Sequence, residues 1–359
     1  MKDKSVKITS LLIALLLLCS CGNTKVLRTK DITDKITQTT VVTGSDITEI
    51  EDYKNFFKEF KGDFTIPGLF EGIIPQGICY IGELDAFAIS GYYEDGLYPS
   101  MLMLIDAKTG KFSKAFPLQN PDGNSYFGHA GGLTASEDYI YITSESICYI
   151  CETAVLKSLK NGEPLKFQSN FKLNTFGSFA CFNDGILWTG DFIESSDKGR
   201  ESARKITTLG SGETFYAYCE GYVLKDGVPD VKKVNSETNG YIPDYLLAIP
   251  EQVQGMSFTL SGKIIFSTSY GRKNNSKIYV YDDVFLTERV GSYKIEETEI
   301  DILACSSDLL KETIIAPPMA EGITQGEKGQ YIIFESGAEK YRQHRGKFPT
   351  DTAFKSNIE

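Results

Sequence analysis

The chain has 359 residues, of which 41% are hydrophobic and 12% aromatic, which is enough for a sizeable core. Its formal net charge is −11, with 48 acidic against 37 basic side chains. Such a surface repels phosphate backbones and therefore argues against nucleic acid as a partner, although acidity also keeps an exported protein soluble. The two histidines, His129 and His344, are far apart in sequence, which excludes a histidine-rich zinc site.

Residues 1–20 have the pattern of an export signal. Three lysines within the first seven residues precede the apolar run 8–18, which is too short to span a bilayer comfortably. Removal of this segment takes away three lysines and one aspartate, so the formal net charge becomes −13. An ordinary secretory signal and an uncleaved anchor have the same basic start and apolar run, and they are the alternatives to a lipoprotein signal.

The end of this segment reads Leu18-Cys19-Ser20-Cys21-Gly22 and resembles the lipobox of bacterial lipoproteins. The resemblance implies that Cys21 becomes the acylated first residue of the mature chain. Several acyl chains hold a protein on a membrane stably, since each buried CH₂ contributes about 0.8 kcal/mol. We therefore expect a protein that is anchored to a membrane through its N-terminal lipid and does not cross it.

Two segments precede the main domain. Residues 21–45 are rich in Thr, Lys and Asp and predict a flexible tether. Residues 46–61 predict an amphipathic helix, capped by Asp46, ended at Gly62, and carrying one aromatic stripe: Tyr53, Phe56, Phe57 and Phe60. We expect the stripe to dock on the main domain; a membrane-surface helix is the alternative, but its polar face mixes acids with lysines.

One short motif recurs five times in the rest of the chain. Each copy begins with a small or polar residue, followed by a glycine or serine and then an apolar residue. These three residues begin an apolar run, which is followed by a turn and a second β-rich run. The copies begin at Gln76-Gly77-Ile78, Gly131-Gly132-Leu133, Gly177-Ser178-Phe179, Gln254-Gly255-Met256 and Glu321-Gly322-Ile323. Each copy therefore predicts a β-hairpin.

The spacing of the copies predicts the fold. Successive copies are 55, 46, 77 and 67 residues apart, a period typical of β-propeller blades, and the two longer intervals imply insertions, one of them at 194–212. We predict an all-β fold, a β-propeller over residues 62–340, followed by a polar tail at 341–359. Five blades are countable, and a sixth could be hidden in an insertion or assembled from both chain ends. A β-sandwich is the alternative, but it gives no reason for one motif to repeat.

The Gln-Gly-Ile start at Gln76 and the Glu-Gly-Ile start at Glu321, each followed by an apolar strand that leads to a serine, resemble six-bladed propellers of the lactonase, phytase-like and NHL kind. The resemblance implies enzymes that hold calcium through acidic and asparagine side chains at the channel. In this chain Glu321 is the acidic residue at the ring, and glutamine or glycine occupies the other positions.

Inner strands of a propeller surround a channel, so the residues at their starts line one of its mouths. The candidate binding residues there are Gln76, His129, Gln254 and Glu321. A second candidate set lies in the loops at the ends of the second strands: Tyr92, Glu145, Asp191 and Tyr270, with Glu335 at the same place in the fifth copy. Tyrosines interleaved with acids suit a sugar or a cationic group. Both sets could also have a purely structural role. The first set could satisfy backbone hydrogen bonds around a narrow channel, and the second set could cover the edges of the blades.

Six cysteines follow Cys21: Cys79, Cys148, Cys151, Cys181, Cys219 and Cys305. An even number in an exported chain permits disulfides, whereas positions in apolar β runs are typical of free buried thiols. Cys148 and Cys151 have the CxxC spacing, but residues three apart in a strand point to opposite faces, which argues against a redox centre.

No sequence motif indicates catalysis. The chain has no Gly-x-Ser-x-Gly elbow and no glycine-rich loop that opens a helix. Oxygen ligands for calcium could come from Glu145, Asp184, Asp191 or Glu321, but no fixed-spacing calcium loop is present. We therefore assign no catalytic residue, no metal ligand and no cofactor, with calcium as the one candidate.

These patterns favour a membrane-tethered binding module outside the cytoplasm, on the bacterial cell membrane or outer membrane. Its partner would be a small molecule, a glycan or another envelope protein. The alternative is a calcium-assisted hydrolase of lactones, phosphate esters or glycans that uses the central channel. A passive spacer is the third hypothesis.

Overall fold

The computed structural model describes residues 32–42, 47–194, 205–208, 212–230, 233–343 and 346–359, and these residues are mostly β-strands. The export signal, Cys21, Asp46, much of the stretch 194–212 and His344 lie outside the described residues. In the part of the chain that is described, no helix is long and apolar enough to cross a membrane.

Residues 32–42 lie against the propeller, whereas a flexible tether was expected over 21–45. Gln38 holds this segment in place: its Nε2 donates to the Gly110 carbonyl at 2.6 Å, and its Oε1 accepts the Phe112 backbone N–H at 2.8 Å. One side chain thereby satisfies backbone groups of the first sheet, which gives an ordered attachment to that part of the predicted tether.

The helix expected at 46–61 is shorter than predicted. Two 3₁₀ turns, one helix and one strand occupy this stretch: Ile47–Glu49, Glu51–Tyr53, α1 (Lys54–Glu59) and β1 (Phe60–Thr65). Phe60 is extended, with φ −108° and ψ 127°, because β1 pairs with the last strand of the chain, and this pairing overrides the helical pattern. The aromatic stripe does dock: Phe56 stacks on Phe60 at 4.9 Å, and both rings are fully buried.

The first two blades are antiparallel sheets built from consecutive strands. Blade 1 comprises β2 (Ile73–Ile81), β3 (Ala86–Tyr93), β4 (Met101–Asp106) and β5 (Phe112–Gln119), with a 3₁₀ turn at Gly82–Leu84. Blade 2 comprises β6 (Gly132–Ala135), β7 (Tyr139–Ser144), β8 (Ile147–Glu152) and its outer strand β10 (Ser169–Lys172). Between β8 and β10 lie α2 (Thr153–Ser158) and the short strand β9 (Leu165–Lys166), which pairs in parallel with β5 and so extends the sheet of blade 1.

Blades 3 and 4 carry the insertions implied by the longer spacings. Blade 3 contains β11 (Phe179–Asn183), β12 (Ile186–Gly190), the small hairpin β13 (Ile206–Thr207) and β14 (Thr214–Phe215), then β15 (Ala217–Lys225), β16 (Val228–Pro229) and β17 (Tyr245–Ile249). Blade 4 contains β18 (Val253–Phe258), β19 (Ile264–Thr268), β20 (Ser276–Tyr281), a 3₁₀ turn at Val284–Leu286, the hairpin β21 (Gly291–Ile295) and β22 (Thr298–Ala304), and β23 (Leu310–Ala316). Strand β22 pairs in parallel with β17, so an insertion from blade 4 extends the sheet of blade 3.

Blade 5 is assembled from both ends of the chain. Its strands, from the channel outward, are β24 (Ala320–Gly326), β25 (Gly329–Phe334), β26 (Thr352–Ser356) and the N-terminal β1. A 3₁₀ turn at Glu335–Gly337 and helix α3 (Glu339–Gln343) separate β25 from β26. The segment 341–359 was expected to be a polar tail, but it supplies a blade strand, since Ala353 and Phe354 are buried.

The inner strands β2, β6, β11, β18 and β24 contact one another in that order around a closed ring. The repeated glycine explains how they approach so closely. A β-carbon on Gly77 would lie 2.9 Å from Leu133 N, one on Gly255 would lie 2.7 Å from Ile323 N, and one on Gly322 would lie 2.8 Å from Ile78 N. In each of these pairs the glycine of one blade contacts the third residue of the motif in the next blade. The recurring motif is therefore a blade-to-blade contact, and the fold is a β-propeller.

Hydroxyl groups at the ends of the second strands join neighbouring blades. Ser90 Oγ accepts the Gly77 N–H at 3.1 Å within blade 1 and donates to the Ala130 carbonyl at 2.8 Å, just before blade 2. Thr143 Oγ1 donates to the Gly177 carbonyl at 2.7 Å in the same way. These buried hydroxyls satisfy carbonyls where one blade meets the next, which is why small hydroxyl residues recur in the motif.

The six cysteines of the described chain are free and buried. Cys148 and Cys151 lie in β8 on opposite faces of the sheet, since they belong to different hydrophobic clusters. Burial raises the pKa of both thiols, that of Cys151 to about 12. They are therefore core residues, as the alternation along a strand predicts.

Candidate functional site

The two candidate sets from the sequence lie at the same end of the propeller. In an antiparallel hairpin the start of the first strand lies beside the end of the second, so β2 begins where β3 ends. The same holds for the other inner hairpins. Channel-mouth residues and loop-end residues therefore surround one opening.

A cavity of about 470 Å³ opens at this mouth. This volume is in the usual range for a small-molecule site. Its walls come from all five blades and from the segment after β25. The lining residues are Gln76, Tyr92, His129, Gly131, Ser144, Glu145, Phe176, Gly177, Ser178, Phe192, Gln254, Glu321, Glu335 and Tyr341.

Six of the eight predicted site residues line this cavity: Gln76, Tyr92, His129, Glu145, Gln254 and Glu321. The other two support its wall. The Asp191 carboxylate accepts a hydrogen bond from the Phe176 backbone N–H and is almost fully buried. Tyr270 stacks on Phe192 with ring centroids 6.3 Å apart.

Two carboxyl groups form the floor of the cavity. Glu321 is 4% exposed, and Glu335 is partly exposed. Each receives one hydrogen bond from a glutamine amide: Gln254 Nε2 donates to Glu321 Oε1 at 3.1 Å, and Gln76 Nε2 donates to Glu335 Oε2 at 3.3 Å. The two carboxyl groups also lie close enough for the charge of Glu335 to raise the pKa of Glu321.

The burial of this pair changes its ionisation. Burial, the nearby Glu335 charge and the hydrogen bond between the two groups raise the pKa of Glu321 well above its usual range. Burial also raises the pKa of Glu335 to about 7, although hydrogen bonds from Tyr341 and Gln76 and the charges of Lys340 and Arg272 act in the opposite direction. At neutral pH the pair therefore holds at least one proton, since two adjacent buried carboxylates repel each other.

Tyr341 lines the cavity together with the pair. Burial and the nearby Glu335 charge raise the pKa of Tyr341. Two cations contact its ring: Arg272 lies 5.1 Å and Lys340 Nζ 5.3 Å from the ring centroid. Lys340 also pairs with Glu94 at 2.9 Å. These cations are held against Tyr341 and do not line the cavity.

Aromatic rings form much of the rim. The ring of Tyr92 lies 4.2 Å from the imidazole of His129. Partial burial and the charge of Lys340 lower the pKa of His129, so the imidazole is neutral at pH 7. Burial and the Glu335 and Glu321 charges raise the pKa of Tyr92 to about 12. Phe176 is 51% exposed, which leaves its ring available to a ligand.

Three lining residues were not predicted from the sequence: Phe176, Phe192 and Tyr341. Phe192 directly follows Asp191, and Phe176 directly precedes the third copy of the motif, so an extension of the motif by one residue would have found them. Tyr341 stands among polar residues in what was expected to be the tail. It reaches the mouth through α3, whose position depends on the pairing of β26 and which no local pattern indicates.

The four candidate calcium ligands are not brought together. Glu145 and Glu321 line the mouth described above, and Asp191 supports its wall. Asp184 lines a second cavity, of about 380 Å³, at the other ends of the inner strands. Among the described residues, no group of three or more His, Cys, Asp or Glu side chains is arranged to hold a metal ion.

Comparisons with known proteins show similarity to solved propeller structures. No family model matches the sequence, and no curated protein matches it. A glutaminyl cyclase of Myxococcus xanthus is 9% identical, with a TM-score of 0.44, over 84% of this chain and 97% of that one. The PQQ-bound form of an aldose sugar dehydrogenase of Streptomyces coelicolor is 14% identical, with a TM-score of 0.45, over 84% and 98%. The Dos1 propeller is 9% identical, with a TM-score of 0.32, over 84% and 76%. At these scores the similarities carry no argument about activity, and the fold rests on the ring of sheets.

Proposed function

We propose that this protein is a lipid-anchored β-propeller outside the cytoplasm that binds a small polar ligand in the cavity at one mouth of its channel. The observation that carries the proposal is the convergence of all five blades on a cavity lined by two carboxyl groups, each of which accepts a hydrogen bond from a glutamine amide. Buried polar groups are costly, so their concentration at one cavity is typical of a binding site.

The anchor is supported by the N-terminal sequence. The basic start, the short apolar run and the Leu18-Cys19-Ser20-Cys21 stretch together favour acylation of Cys21. Metabolic labelling with a palmitate analogue tests this directly. We expect label and detergent-phase partitioning in the wild type and neither in Cys21→Ser; label that persists in this variant would overturn the anchor at Cys21.

A calcium-assisted hydrolase is the second candidate function, and the donor set does not fit it. Calcium requires six to eight oxygen ligands. At the mouth Glu321 Oε1 and Glu335 Oε2 already accept hydrogen bonds from Gln254 and Gln76. Nowhere in the described ranges do three or more His, Cys, Asp or Glu side chains form a group that could hold a metal ion.

A ligand screen by thermal shift tests the binding proposal. The full-length protein in an uncharged detergent is screened against sugars, amines, amino acids and organic acids at millimolar concentration, in the presence and absence of calcium. A bound ligand stabilises the native state by about 2.7 kcal/mol at one hundred times its Kd. We expect at least one compound class to raise Tm in the wild type and to have less effect on Phe176→Ala.

The matched control is Phe70→Ala. Phe70 is also an exposed phenylalanine, at 65% exposure, but it does not line the cavity. Stabilisation that is equal in the wild type and in both variants would place the ligand elsewhere and contradict the proposal. A rise in Tm with calcium alone, accompanied by ester or phosphate hydrolysis that Glu321→Gln abolishes, would establish the hydrolase instead. Recovery of an envelope protein with no small-molecule binding would establish a protein-docking module.

A further inference from the structure

The chemistry of the cavity wall identifies the class of ligand. We infer that the ligand is an organic cation with a primary ammonium group, held by Glu321 and Glu335 on the floor of the cavity and by the aromatic rings of its rim. The inference rests on the proposed function, because it names what the same cavity binds.

The first argument is charge. Three carboxyl groups line the cavity, those of Glu145, Glu321 and Glu335, and none of the described lining residues is a lysine or arginine. The nearest cations, Lys340 and Arg272, are engaged with the ring of Tyr341, and Lys340 also with Glu94. An anionic ligand would meet acidic side chains without a free cation, so the site favours a positive ligand.

The second argument is the supply of hydrogen-bond donors. Gln254 and Gln76 each donate one hydrogen bond to the pair. The raised pKa values of Glu321 and Glu335 mean that the pair also keeps at least one proton at neutral pH. A primary ammonium brings three N–H donors and can replace that proton, whereas a quaternary ammonium brings none and leaves a buried acceptor unpaired.

The third argument is the apolar part of the wall. Tyr92, Phe176, Phe192 and Tyr341 provide it, and no leucine, isoleucine, valine or methionine is present among the described lining residues. Aromatic faces attract cations within about 6 Å and also pack against the carbon skeleton of an amine. An aliphatic or lipid ligand would find no matching surface.

Binding of this kind must release a proton. The empty pair holds at least one proton near neutral pH; when a bound ammonium leaves both carboxyl groups ionised, that proton goes to solvent. The other titratable groups that face the pair are Tyr92, Tyr341, His129 and Glu145 from the cavity wall, with Lys340 and Arg272 behind Tyr341. Tyr92 and Tyr341 have raised pKa values and His129 a lowered one, so these three stay neutral near pH 7.

The test uses matched probes and the full-length protein in an uncharged detergent. On three scaffolds, an amino sugar, an arylethylamine and a linear diamine, the free amine is compared with its N-acetyl and N-trimethyl forms by isothermal calorimetry. Each titration is run at pH 6.5 in two amine-free buffers with different ionisation enthalpies. We expect at least one free amine to bind, its two modified forms to bind at least tenfold more weakly, and the measured enthalpy to change with the buffer because protons are released.

Substitutions of the two glutamates test whether the amine binds at the carboxyl pair. Glu335→Gln and Glu321→Gln keep the size of the side chain and should each weaken amine binding at least tenfold. Glu83→Gln, which removes a carboxylate paired with Lys157 on the protein surface, should leave binding unchanged. If a pair variant fails to fold, the wild type still tests the inference, since its affinity for the amine should rise at least tenfold between pH 5.5 and pH 7.5.

Three results would overturn the inference. The first is equal or tighter binding of the N-acetyl or trimethyl forms, the second is binding without proton release, and the third is no binding of a free amine on any scaffold at 10 mM. A different result would overturn the amine ligand and leave the proposed binding function standing. A neutral or anionic ligand that stabilises the wild type and not Phe176→Ala would leave the binding cavity intact while ending the assignment to amines.

Discussion

The contact between inner strands predicts a large effect for Gly322→Ala. A β-carbon at this position would lie 2.8 Å from Ile78 N, 3.0 Å from the Gln76 carbonyl oxygen and 3.1 Å from Gly77 Cα. Non-bonded heavy atoms prefer about 3.5 to 4.0 Å, so the methyl group overlaps three backbone atoms by roughly half an ångström or more. Overpacking costs about 1 to 3 kcal/mol, and because no side chain can move away, we expect about 3 kcal/mol.

Urea unfolding followed by circular dichroism, together with thermal melting, measures this cost. For a chain of this size about 3 kcal/mol corresponds to a fall in Tm of roughly 4 °C. The control is Gly82→Ala, where the added β-carbon would meet only Tyr80 Cε1, at 3.9 Å, and where we expect no loss of stability. If Gly322→Ala melts within 1 °C of the wild type, the glycines do not mark close blade contacts and the explanation of the repeat fails.

Three further predictions follow from the same contacts. Ser90→Ala leaves a buried carbonyl and a buried N–H without their partner, so it should lower the free energy of unfolding in urea by about 1 to 3 kcal/mol. Ser292→Ala, on the surface, should lower it little. Equal effects of the two substitutions would show that the hydroxyl groups between blades do not stabilise the fold. The native protein should show no reactive thiol among the six buried cysteines and should expose all six to an aromatic disulfide reagent in urea; labelling before unfolding would contradict their burial. The raised pKa of Glu335 means that its contribution to stability is full below about pH 4.5 and is lost as the pH rises through about 7. The wild type should therefore lose about 2 kcal/mol more than Glu335→Gln between pH 5 and pH 8, and parallel pH profiles would refute this.

The fold was predictable to the extent that it is encoded in a local repeat. Gly77, Gly255 and Gly322 recur because each blade must meet the next at the same distance, and such a constraint leaves the same residue at the same place. Prolines stand at the passages between blades. Pro67 and Pro250 each lie between an outer strand and the next inner strand, where a missing backbone N–H breaks no sheet hydrogen bond.

The closure of the ring was not predictable in this way. Strand β1 pairs with β26, and the partners Phe60 and Ser356 are separated by almost the whole chain. The helical spacing of Phe56 and Phe60 and the polar composition around Arg342 indicated a longer helix and a tail, since local patterns carry no information about such pairing. The predictions at 46–61 and 341–359 therefore differ from the structure for the same reason.

The position of the candidate site was predictable from the sequence, but only part of its chemistry was. The hairpin repeat places Gln76, Tyr92 and Glu321 at one mouth, because the direction of the strands follows from the turn between them. The raised pKa values of Glu321 and Glu335, and the presence of Tyr341 in the same cavity wall, depend on where the segment after β25 lies in the folded chain. Tertiary packing, not sequence spacing, brings these groups together.

The proposed site depends most directly on the raised pKa values of Glu321 and Glu335, and carbon-13 NMR measures these values. Glutamate labelled at the side-chain carboxyl carbon is titrated in the wild type and, for assignment, in Glu335→Gln and Glu321→Gln. We expect two coupled titrations for the pair, both above the ordinary glutamate range, with an apparent pKa of about 7 for Glu335. Two independent titrations near pH 4.5 would contradict a buried, hydrogen-bonded pair at the mouth of the channel, and with it the proposed site.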